Sequence, residues 1–292
     1  MTAHILYGKS LTDSILAGVA QEVKELKEQG VSPSLMTVQV GEHAASRVYL
    51  ASQRRLAETV GITCELLELS SSTTQARLLR TIDNLNEDPA ITGIILHMPL
   101  PPGINPRAAQ WHIAQAKDVE GITPYNMGRL SLGLPQLAPC TALGAVELIK
   151  STGIDLAGKE AVVVGASDIV GKPCTIMLLN EEATVTVCHA ATAERGLLEE
   201  HVRRAEVLVV AVGQPGAVRG EWIRPGAVVI DLGINTVGDR IVGDVEFEEA
   251  CSRAAYITPV PGGAGTVTVA FLLKNLVKAA RWQLTGHPHG LE

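Results

Sequence analysis

The alternation of short apolar segments with helical segments is the strongest constraint on how this chain can fold. Residues 34–40 (SLMTVQV), 62–67 and 91–98 are apolar and are followed by glycine, serine or proline, which predicts buried strands. Residues 11–29 and 44–60 are predicted helices, each ended by a glycine. A strand–helix–strand order indicates parallel strands with right-handed crossovers, so the fold class is α/β.

A second series of the same kind follows Gly158. Short apolar strands are predicted at residues 161–164, 183–187, 207–212 and 227–232, with a helix at 171–180 and a long amphipathic helix at 267–284. Loops near Gly213 and Gly233 come directly after strands, where open parallel sheets place their ligands. The second half is therefore predicted to be a ligand-binding parallel sheet.

Composition agrees with this fold and excludes some functions. Hydrophobic residues make up 46% of the chain and aromatic residues only 3%, which fits a parallel sheet covered by helices. The formal charge is −7 and no basic cluster is interleaved with aromatic residues, which argues against nucleic acid as a partner.

The cysteines indicate a reducing environment. Five are present, widely spaced and without a CxxC pair, so neither a disulfide framework nor a zinc site is predicted, and we expect no metal. The first residues lack the features of a signal peptide and no apolar run is long enough for a membrane span. We expect a cytoplasmic protein with no membrane partner.

A glycine-containing loop at residues 163–173 (VVGASDIVGKP) follows a strand and begins a helix. Gly165 permits a tight turn, Ser167 offers a hydroxyl, and Gly171 allows close packing of the helix, whose N-terminus can face a pyrophosphate. The spacing is G-x-S-x-x-x-G rather than G-x-G-x-x-G, so an ordinary strand-to-helix turn is the alternative interpretation.

The next strand ends at Cys188 and His189, and no acidic residue follows to bind the ribose hydroxyls of NAD. Arg195 lies further on and can meet a 2′-phosphate, although a solvated surface arginine is the alternative. The choice between NAD and NADP is open at this point.

Nine short motifs in a fixed order resemble the methylenetetrahydrofolate dehydrogenase/cyclohydrolase family, over residues 34–275. They are VGxxxASxxY at 40–49, PLP at 99–101, KDVEG at 117–121, NxGxL at 126–130, PCT at 139–141, the GxSxxVGxP loop at 165–173, IDxGIN at 230–235, GDV at 243–245 and PVPGG at 259–263.

The resemblance implies a two-lobed protein with a cleft between the lobes. Residues 1–140, with a returning helix at 268–292, would form a folate-binding catalytic lobe, and residues 141–267 a Rossmann-like NAD(P)-binding lobe. It also implies a homodimer formed through the nucleotide-binding lobes. The implied reaction transfers a hydride from the methylene carbon of the folate to a nicotinamide ring, after which water opens the methenyl ring.

The resemblance also assigns candidate residues. For the folate substrate they are Tyr49, Pro99, Leu100, Glu120, Pro261, Gly262 and Gly263. For the cofactor they are Gly165, Ala166, Ser167, Ile169, Val170, His189, Gly213 and Ile234.

Three reactive positions depart from the family pattern. The catalytic lysine of the family is Gln53 here, the glutamine that contacts it is His97, and the aspartate that reads the pterin ring is Glu120. A carboxamide has no titratable proton, whereas an imidazole titrates near neutrality. With Tyr49, these residues are the candidate catalytic set, and His97 either replaces the lysine as acid–base group or only fills its space.

The cofactor loop departs as well. The family commonly has arginine where Ala166 stands and serine where Ala190 stands, so two phosphate partners are missing and NAD is slightly favoured over NADP. The loop after Gly263 also differs from the family pattern.

The leading hypothesis is oxidation of methylenetetrahydrofolate to methenyltetrahydrofolate, with weak or lost cyclohydrolase activity. Two alternatives keep the folate: a non-redox one-carbon transfer or hydrolysis that uses His97, and a non-catalytic folate-binding paralogue. An ordinary hydroxy-acid dehydrogenase is the remaining alternative, although its usual histidine–arginine–acid set is not apparent.

Overall fold

A computed structural model describes residues 2–41 and 44–286, and the side chains of residues 44–49 and 52 are outside the described part. The strands are β1 (His4–Ile5), β2 (Ser34–Val40), β3 (Thr63–Leu69), β4 (Gly93–Leu96), β5 (Glu160–Val164), β6 (Thr184–Cys188), β7 (Val207–Val210), β8 (Val228–Asp231), β9 (Asn235–Val237), β10 (Arg240–Val242) and β11 (Tyr256–Ile257).

Helices occupy most of the segments between these strands. They are α1 (Lys9–Glu28), α2 (Ala44–Thr59), α3 (Gln75–Glu87), α4 (Pro106–Gln110), α5 (Pro124–Ser131), α6 (Cys140–Lys150), α7 (Gly171–Asn180), α8 (Ala190–Glu194), α9 (Leu198–Arg204), α10 (Phe247–Cys251) and α11 (Ala264–Thr285). The predicted α/β class is confirmed.

The chain divides into two compact units. One unit contains Met1–Asp13 and Pro139–Thr268, and the other contains Ser14–Ala138 and Val269–Glu292. The division differs from the predicted boundaries at the N-terminus, because Met1–Asp13 cluster with the C-terminal half. The physical reason is strand pairing: His4 and Ile5 of β1 align in parallel with Tyr256 and Ile257 of β11.

The unit that contains Pro139–Thr268 is built on a six-stranded parallel sheet with the order β1-β11-β8-β7-β5-β6. In the sheet, β5 lies between β6 and β7. The chain passes from β5 to its neighbour β6 and then crosses back to β7 on the other side of β5. This reversal of strand order beside β5 is the point at which doubly wound sheets bind ligands. The apolar residues of β5, β7 and β8 are almost fully buried, as predicted for strands that helices cover on both faces.

The unit that contains Ser14–Ala138 has a three-stranded parallel sheet with the order β3-β2-β4. One face of the sheet carries Met36, Val38, Ile94 and Leu96, which pack with residues of α3 and α4 in one apolar core. The opposite face carries Thr37 and Gln39 from the central strand, because side chains alternate along a strand. The polar residues of this second face belong to the candidate site.

The final helix is longer and more deeply buried than its predicted amphipathic pattern suggests. Half-exposed positions in its central part form only a narrow stripe of Lys274, Lys278 and Arg281, and most other positions are buried. Asn275, on its buried side, donates hydrogen bonds from Nδ2 to the carbonyl oxygens of Val119 at 2.9 Å and Ala138 at 2.8 Å. This amide therefore fastens the helix to two loops of its unit.

Replacing Asn275 with leucine should destabilise the protein by about 2–4 kcal/mol, because two buried carbonyl groups lose a donor. Urea unfolding measures the change. The matched control is Gln115→Leu, at an exposed position of the same unit, which should stay within about 0.5 kcal/mol of the wild type. Equal stabilities of the two variants would contradict the assigned role of Asn275.

Candidate active site

The loop that follows β5 is held in a conformation that glycine permits. Gly165 has a φ of +122°, and a Cβ atom at this position would lie 2.3 Å from the carbonyl oxygen of Ala211. A Cβ at Gly171 would lie 2.0 Å from the carbonyl oxygen of Gly165. Ser167 accepts hydrogen bonds at Oγ from the backbone N–H of Val170 at 3.2 Å and Gly171 at 3.4 Å. The loop thus packs closely between β5 and α7, as a phosphate-binding turn requires.

The candidate cofactor residues all lie at the carboxyl edge of the parallel sheet. Ala166, Ser167, Ile169 and Val170 follow β5, His189 follows β6, Gly213 follows β7 and Ile234 follows β8. Ile234 is 72% exposed, unusual for an isoleucine next to a buried strand. The fold brings these residues to one edge, although they are distant in sequence.

A buried carboxylate organises the loop that carries Gly213. Asp244 accepts hydrogen bonds from the consecutive backbone N–H groups of Val212 at 2.7 Å, Gly213 at 2.9 Å and Gln214 at 2.8 Å. The side-chain amide of Asn235 also donates to Asp244, at 2.8 Å. These bonds fix the loop at the end of β7 to the chain that follows β10.

A second buried carboxylate, that of Asp231, fixes Asp244 in turn. Asp231 accepts hydrogen bonds from the backbone N–H groups of Gly233 at 2.9 Å, Asp244 at 3.0 Å and Val245 at 2.9 Å. Burial raises the pKa of Asp231 to about 6, while these three hydrogen bonds act to lower it and the charge of Asp244 to raise it. A Cβ at Gly243 would lie 1.9 Å from Oδ2 of Asp231, so only glycine fits there.

The segment at residues 117–121 runs beside β4 in the other unit. Ile94 donates its N–H to the carbonyl of Lys117 at 2.9 Å, and a parallel bridge pairs Ile94 with Asp118. Nζ of the buried Lys117 donates to the carbonyls of Leu85 and Asp88 at the end of α3, at 2.9 and 2.6 Å. Lys117 is therefore a structural residue that caps a helix.

Asp118 is also structural. Its Oδ2 accepts hydrogen bonds at 2.8 Å from the N–H of Thr123 and from Nδ2 of Asn126, which hold the start of α5. Glu120 as a whole residue is partly exposed, but its carboxyl group is buried. This burial raises the pKa of Glu120 to about 8, and the charge of Asp118 acts in the same direction. Of this segment, Glu120 is the residue whose position and ionisation suit a ligand.

Gln53 and His97 lie on the same side of the three-stranded sheet, Gln53 in the helix that covers it and His97 at the end of a strand. Gln53 is 2% exposed and projects from α2 toward this face, where it borders a cavity with Thr37 and Gln39. His97 follows β4, its N–H donates to the carbonyl of Val38 at 2.9 Å, and its side chain is half-buried. The parallel directions of β4 and the segment beside it bring His97 and Glu120 out at the same end.

The remaining substrate candidates divide between the two units. Pro99 and Leu100 follow His97, and the Met98–Pro99 bond is cis. Pro261, Gly262 and Gly263 precede α11 in the unit of the six-stranded sheet, where the N–H of Gly8 donates to the carbonyl of Gly262 at 2.9 Å. Tyr49 lies in α2, but its side chain is outside the described residues.

Sequence reasoning missed the roles of Asp231, Asp244 and Gln39. The two aspartates stand in quoted motifs, but a pattern does not show that their partners are backbone groups of other loops. Gln39 is a large polar residue near the end of a mostly apolar strand, and a polar side chain at a buried strand position is the available sequence signal.

Within the described residues, no helix is long and apolar enough to span a membrane. Nor do the His, Cys, Asp and Glu side chains of this part of the chain form a cluster that could hold a metal ion.

A doubly wound parallel sheet with a glycine-containing loop at its carboxyl edge defines a nucleotide-binding α/β protein. The family model for the tetrahydrofolate dehydrogenase/cyclohydrolase catalytic domain matches residues 6–120, and the model for the NAD(P)-binding domain of the same enzymes matches residues 139–284. The chain belongs to the tetrahydrofolate dehydrogenase/cyclohydrolase family, and its second unit is an NAD(P)-binding domain.

Curated and solved relatives agree with this assignment. A bifunctional protein FolD from Moorella thermoacetica is 49% identical over 282 residues, 96% of this chain and 100% of the relative. The structure of FolD from Campylobacter jejuni matches with a TM-score of 0.92 at 41% identity, over 96% of this chain and 99% of that one. The Trypanosoma brucei enzyme, solved with NADP cofactor and an inhibitor, also matches with a TM-score of 0.92, at 40% identity over 97% and 99% of the two chains.

Replacing Gly165 with alanine should destabilise the protein by at least about 2 kcal/mol, because alanine disfavours this φ and its Cβ meets a carbonyl oxygen. Urea unfolding measures the loss. The matched control is Gly18→Ala in α1, where nothing lies within 4 Å of the added Cβ. That variant should be stabilised by about 0.5–1 kcal/mol, and a neutral Gly165→Ala would contradict the structure of the loop.

The raised pKa of Glu120 predicts a pH dependence of stability. The folded protein retains the Glu120 proton up to about pH 8, whereas the unfolded chain loses it near its ordinary value of 4.5. The contribution of Glu120 to stability is therefore complete below the lower pKa and decreases as the pH rises through this window. Glu120→Gln should remove this decrease.

The check compares urea midpoints at pH 5 and pH 8.5. Wild-type stability relative to Glu120→Gln should be lower at the higher pH. An exposed residue of the same unit supplies the control, Glu87→Gln, for which the difference from the wild type should hardly change. If the difference in stability between the wild type and Glu120→Gln is the same at both pH values, the raised pKa of Glu120 is refuted.

Proposed function

We propose that this protein oxidises methylenetetrahydrofolate to methenyltetrahydrofolate with NAD(P) as the hydride acceptor. The observation that carries the proposal is the parallel sheet with its glycine loop and the cofactor candidates at one edge. Family membership supplies the substrate class. A bound nicotinamide nucleotide supplies the ring that receives the hydride; all other functions belong to residues of this chain.

The nucleotide-binding residues are proposed from their position at the sheet edge. The N-terminus of α7 and the loop around Ser167 would bind the pyrophosphate. Gly213 and Ile234 would border the nucleotide, and Asp244 holds the Gly213 loop in place before any ligand arrives. Such preorganisation reduces the cost of binding.

The folate-binding residues are proposed to be Tyr49, Pro99, Leu100 and Glu120, and the family resemblance adds Pro261, Gly262 and Gly263. Glu120 retains its proton at neutral pH, because its pKa is raised to about 8. Hydrogen bonds from ring N–H groups favour the ionised carboxylate, so binding of the folate would release a proton. Hydride transfer then depends on positioning of the methylene carbon rather than on a titrating lysine.

Hydrolysis of the methenyl product would have to use a different group from the family lysine. Gln53 has no titratable proton, whereas the imidazole of His97, on the same sheet face, can take a proton from attacking water. We therefore expect hydrolysis to be slower than hydride transfer. Because the relatives are described as bifunctional, the rate of hydrolysis is the property in which this protein is expected to differ most from them.

The cofactor preference is part of the proposal. Ala166 and Ala190 remove the arginine and serine that would contact a 2′-phosphate, which favours NAD, although the Trypanosoma brucei relative was solved with NADP. We also propose a homodimer formed through the nucleotide-binding unit and a reducing cytoplasmic location, consistent with five cysteines that form no disulfide bond within the described residues. Sedimentation equilibrium tests the first of these proposals.

The first experiment is a spectrophotometric assay with methylenetetrahydrofolate that compares NAD and NADP. Reduced nucleotide and methenyl product are followed separately. Reduction with accumulation of the methenyl product is expected. Absence of reduction with both nucleotides would refute the dehydrogenase and direct attention to non-redox one-carbon chemistry at His97.

Replacing Gln53 with lysine should increase hydrolysis of methenyltetrahydrofolate at least about tenfold, because it supplies a group that can transfer protons. The decay of methenyl absorbance measures the rate. His97→Ala in the wild-type background should abolish the residual rate while hydride transfer persists. Unchanged hydrolysis in Gln53→Lys would exclude the missing lysine as its cause.

A further inference from the structure

A cavity of about 260 Å³ lies beneath α2, over the β2 and β3 part of the three-stranded sheet. Its polar and apolar walls come from all three elements, and the residues relevant here are Thr37, Gln39, Gln53, Leu66 and Glu68. The volume exceeds that of several water molecules and is smaller than a typical site for a whole drug-sized ligand. It fits a part of a ligand, such as one ring system.

Two glutamine side chains at this cavity, those of Gln39 and Gln53, each have a buried Oε1 atom. Gln39 is 3% exposed, and its Nε2 donates to the carbonyl of Gly41 at 2.9 Å. Because a carbonyl can only accept, the nitrogen must face Gly41 and the Gln39 oxygen must face away from it. That oxygen is buried and has no hydrogen-bond partner among the described residues.

Gln53, in α2, contributes a second buried oxygen at the same cavity. It is 2% exposed, and its Oε1 is likewise buried without a hydrogen-bond partner in the described part of the chain. Buried polar atoms are normally satisfied, so two unsatisfied acceptors that border one cavity indicate a donor-bearing occupant.

Two charged side chains also border the cavity, Glu68 and Arg54. The β2–β3 pairing places Glu68 opposite Gln39, so its carboxylate adds a third acceptor. The guanidinium of Arg54, which also borders the cavity, donates to Glu58 at 2.9 Å. The cavity therefore presents the side-chain oxygens of Gln39, Gln53 and Glu68 as acceptors for N–H or O–H donors, with the guanidinium of Arg54 at its border.

The cavity adjoins the candidate reactive residues. Gln53 occupies the position of the family lysine, and His97 follows β4 directly beside the β2 segment that contains Val38 and Gln39. Gln39 therefore lies next to the strand that leads to His97 and borders the same cavity as Gln53.

We propose that this cavity is a subsite for N–H groups of the folate ring system, with Gln39 as a specificity-determining residue that accepts their hydrogen bonds together with Gln53. The inference rests on the proposed function and adds to it a residue and a cavity. It requires that loss of the Gln39 oxygen weakens folate binding and leaves nucleotide binding intact.

The test measures tetrahydrofolate and nucleotide affinities by calorimetry for the full-length wild type and for Gln39→Met. Methionine keeps the length of the side chain and removes the hydrogen bonds. The Kd for tetrahydrofolate should rise about tenfold, the value of one neutral hydrogen bond. The KM for methylenetetrahydrofolate should rise by a similar factor at nearly constant kcat, because binding is lost equally in the ground and transition states.

Gln115→Met, at an exposed site of the same unit, is the matched control and should bind both ligands as the wild type does. Gln53→Met removes the second acceptor and should also weaken tetrahydrofolate binding, which keeps the proposal testable if Gln39→Met does not fold. Thermal unfolding of each variant accompanies the binding measurements and identifies a folding defect.

Wild-type folate affinity in both acceptor variants would overturn the inference, because the cavity would then hold water only. Equal losses of folate and nucleotide affinity would overturn it as well, since they indicate a general structural effect. A wild-type protein that does not bind tetrahydrofolate would refute the proposed function itself, whereas normal wild-type turnover with unaffected variants would refute only the role of the cavity.

Discussion

The hydrogen bonds of two buried aspartates, Asp231 and Asp244, are the interaction on which the nucleotide-binding unit depends. A buried carboxylate is costly unless donors surround it, and here each accepts hydrogen bonds from several N–H groups of the main chain. Because those donors lie in loops after different strands, one network fixes the edge at which the sheet would bind its ligand. The close approach of Gly243 to Asp231 leaves no room for a side chain, so the glycine and the aspartate form one structural unit.

In the unit with the three-stranded sheet, a single short motif contains both structural residues and a candidate ligand-binding residue. In the segment at residues 117–121, Lys117 caps α3 and Asp118 holds α5, which leaves Glu120 at the position that suits a ligand. The helix α11 reinforces the same segment through Asn275. The structural roles of Lys117, Asp118 and Asn275 are therefore separate from the proposed role of Glu120 in binding a ligand.

The polar face of the three-stranded sheet differs from the carboxyl edge of the six-stranded sheet in how its buried acceptors are satisfied. Asp231 and Asp244 are satisfied by hydrogen bonds within the protein, whereas Gln39 and Gln53 have buried oxygens with no partner in the described residues. A satisfied network stabilises the fold, but unsatisfied acceptors favour a ligand that completes them. This contrast distinguishes the preorganised cofactor edge from the side of the protein where substrate specificity would be decided.

The sequence by itself determined the α/β class, most strands and helices, and the family, because apolar periodicity, glycine positions and ordered motifs are local properties of the chain. Only the tertiary structure decided that β1 pairs with β11, that the final helix is buried on most of its faces, and that Lys117 and Asp118 serve structure. It alone also placed Gln39 beside Gln53 and joined Asp231 to Asp244. These features depend on contacts between residues far apart in the chain, and neither propensity nor spacing specifies which buried donor meets which acceptor.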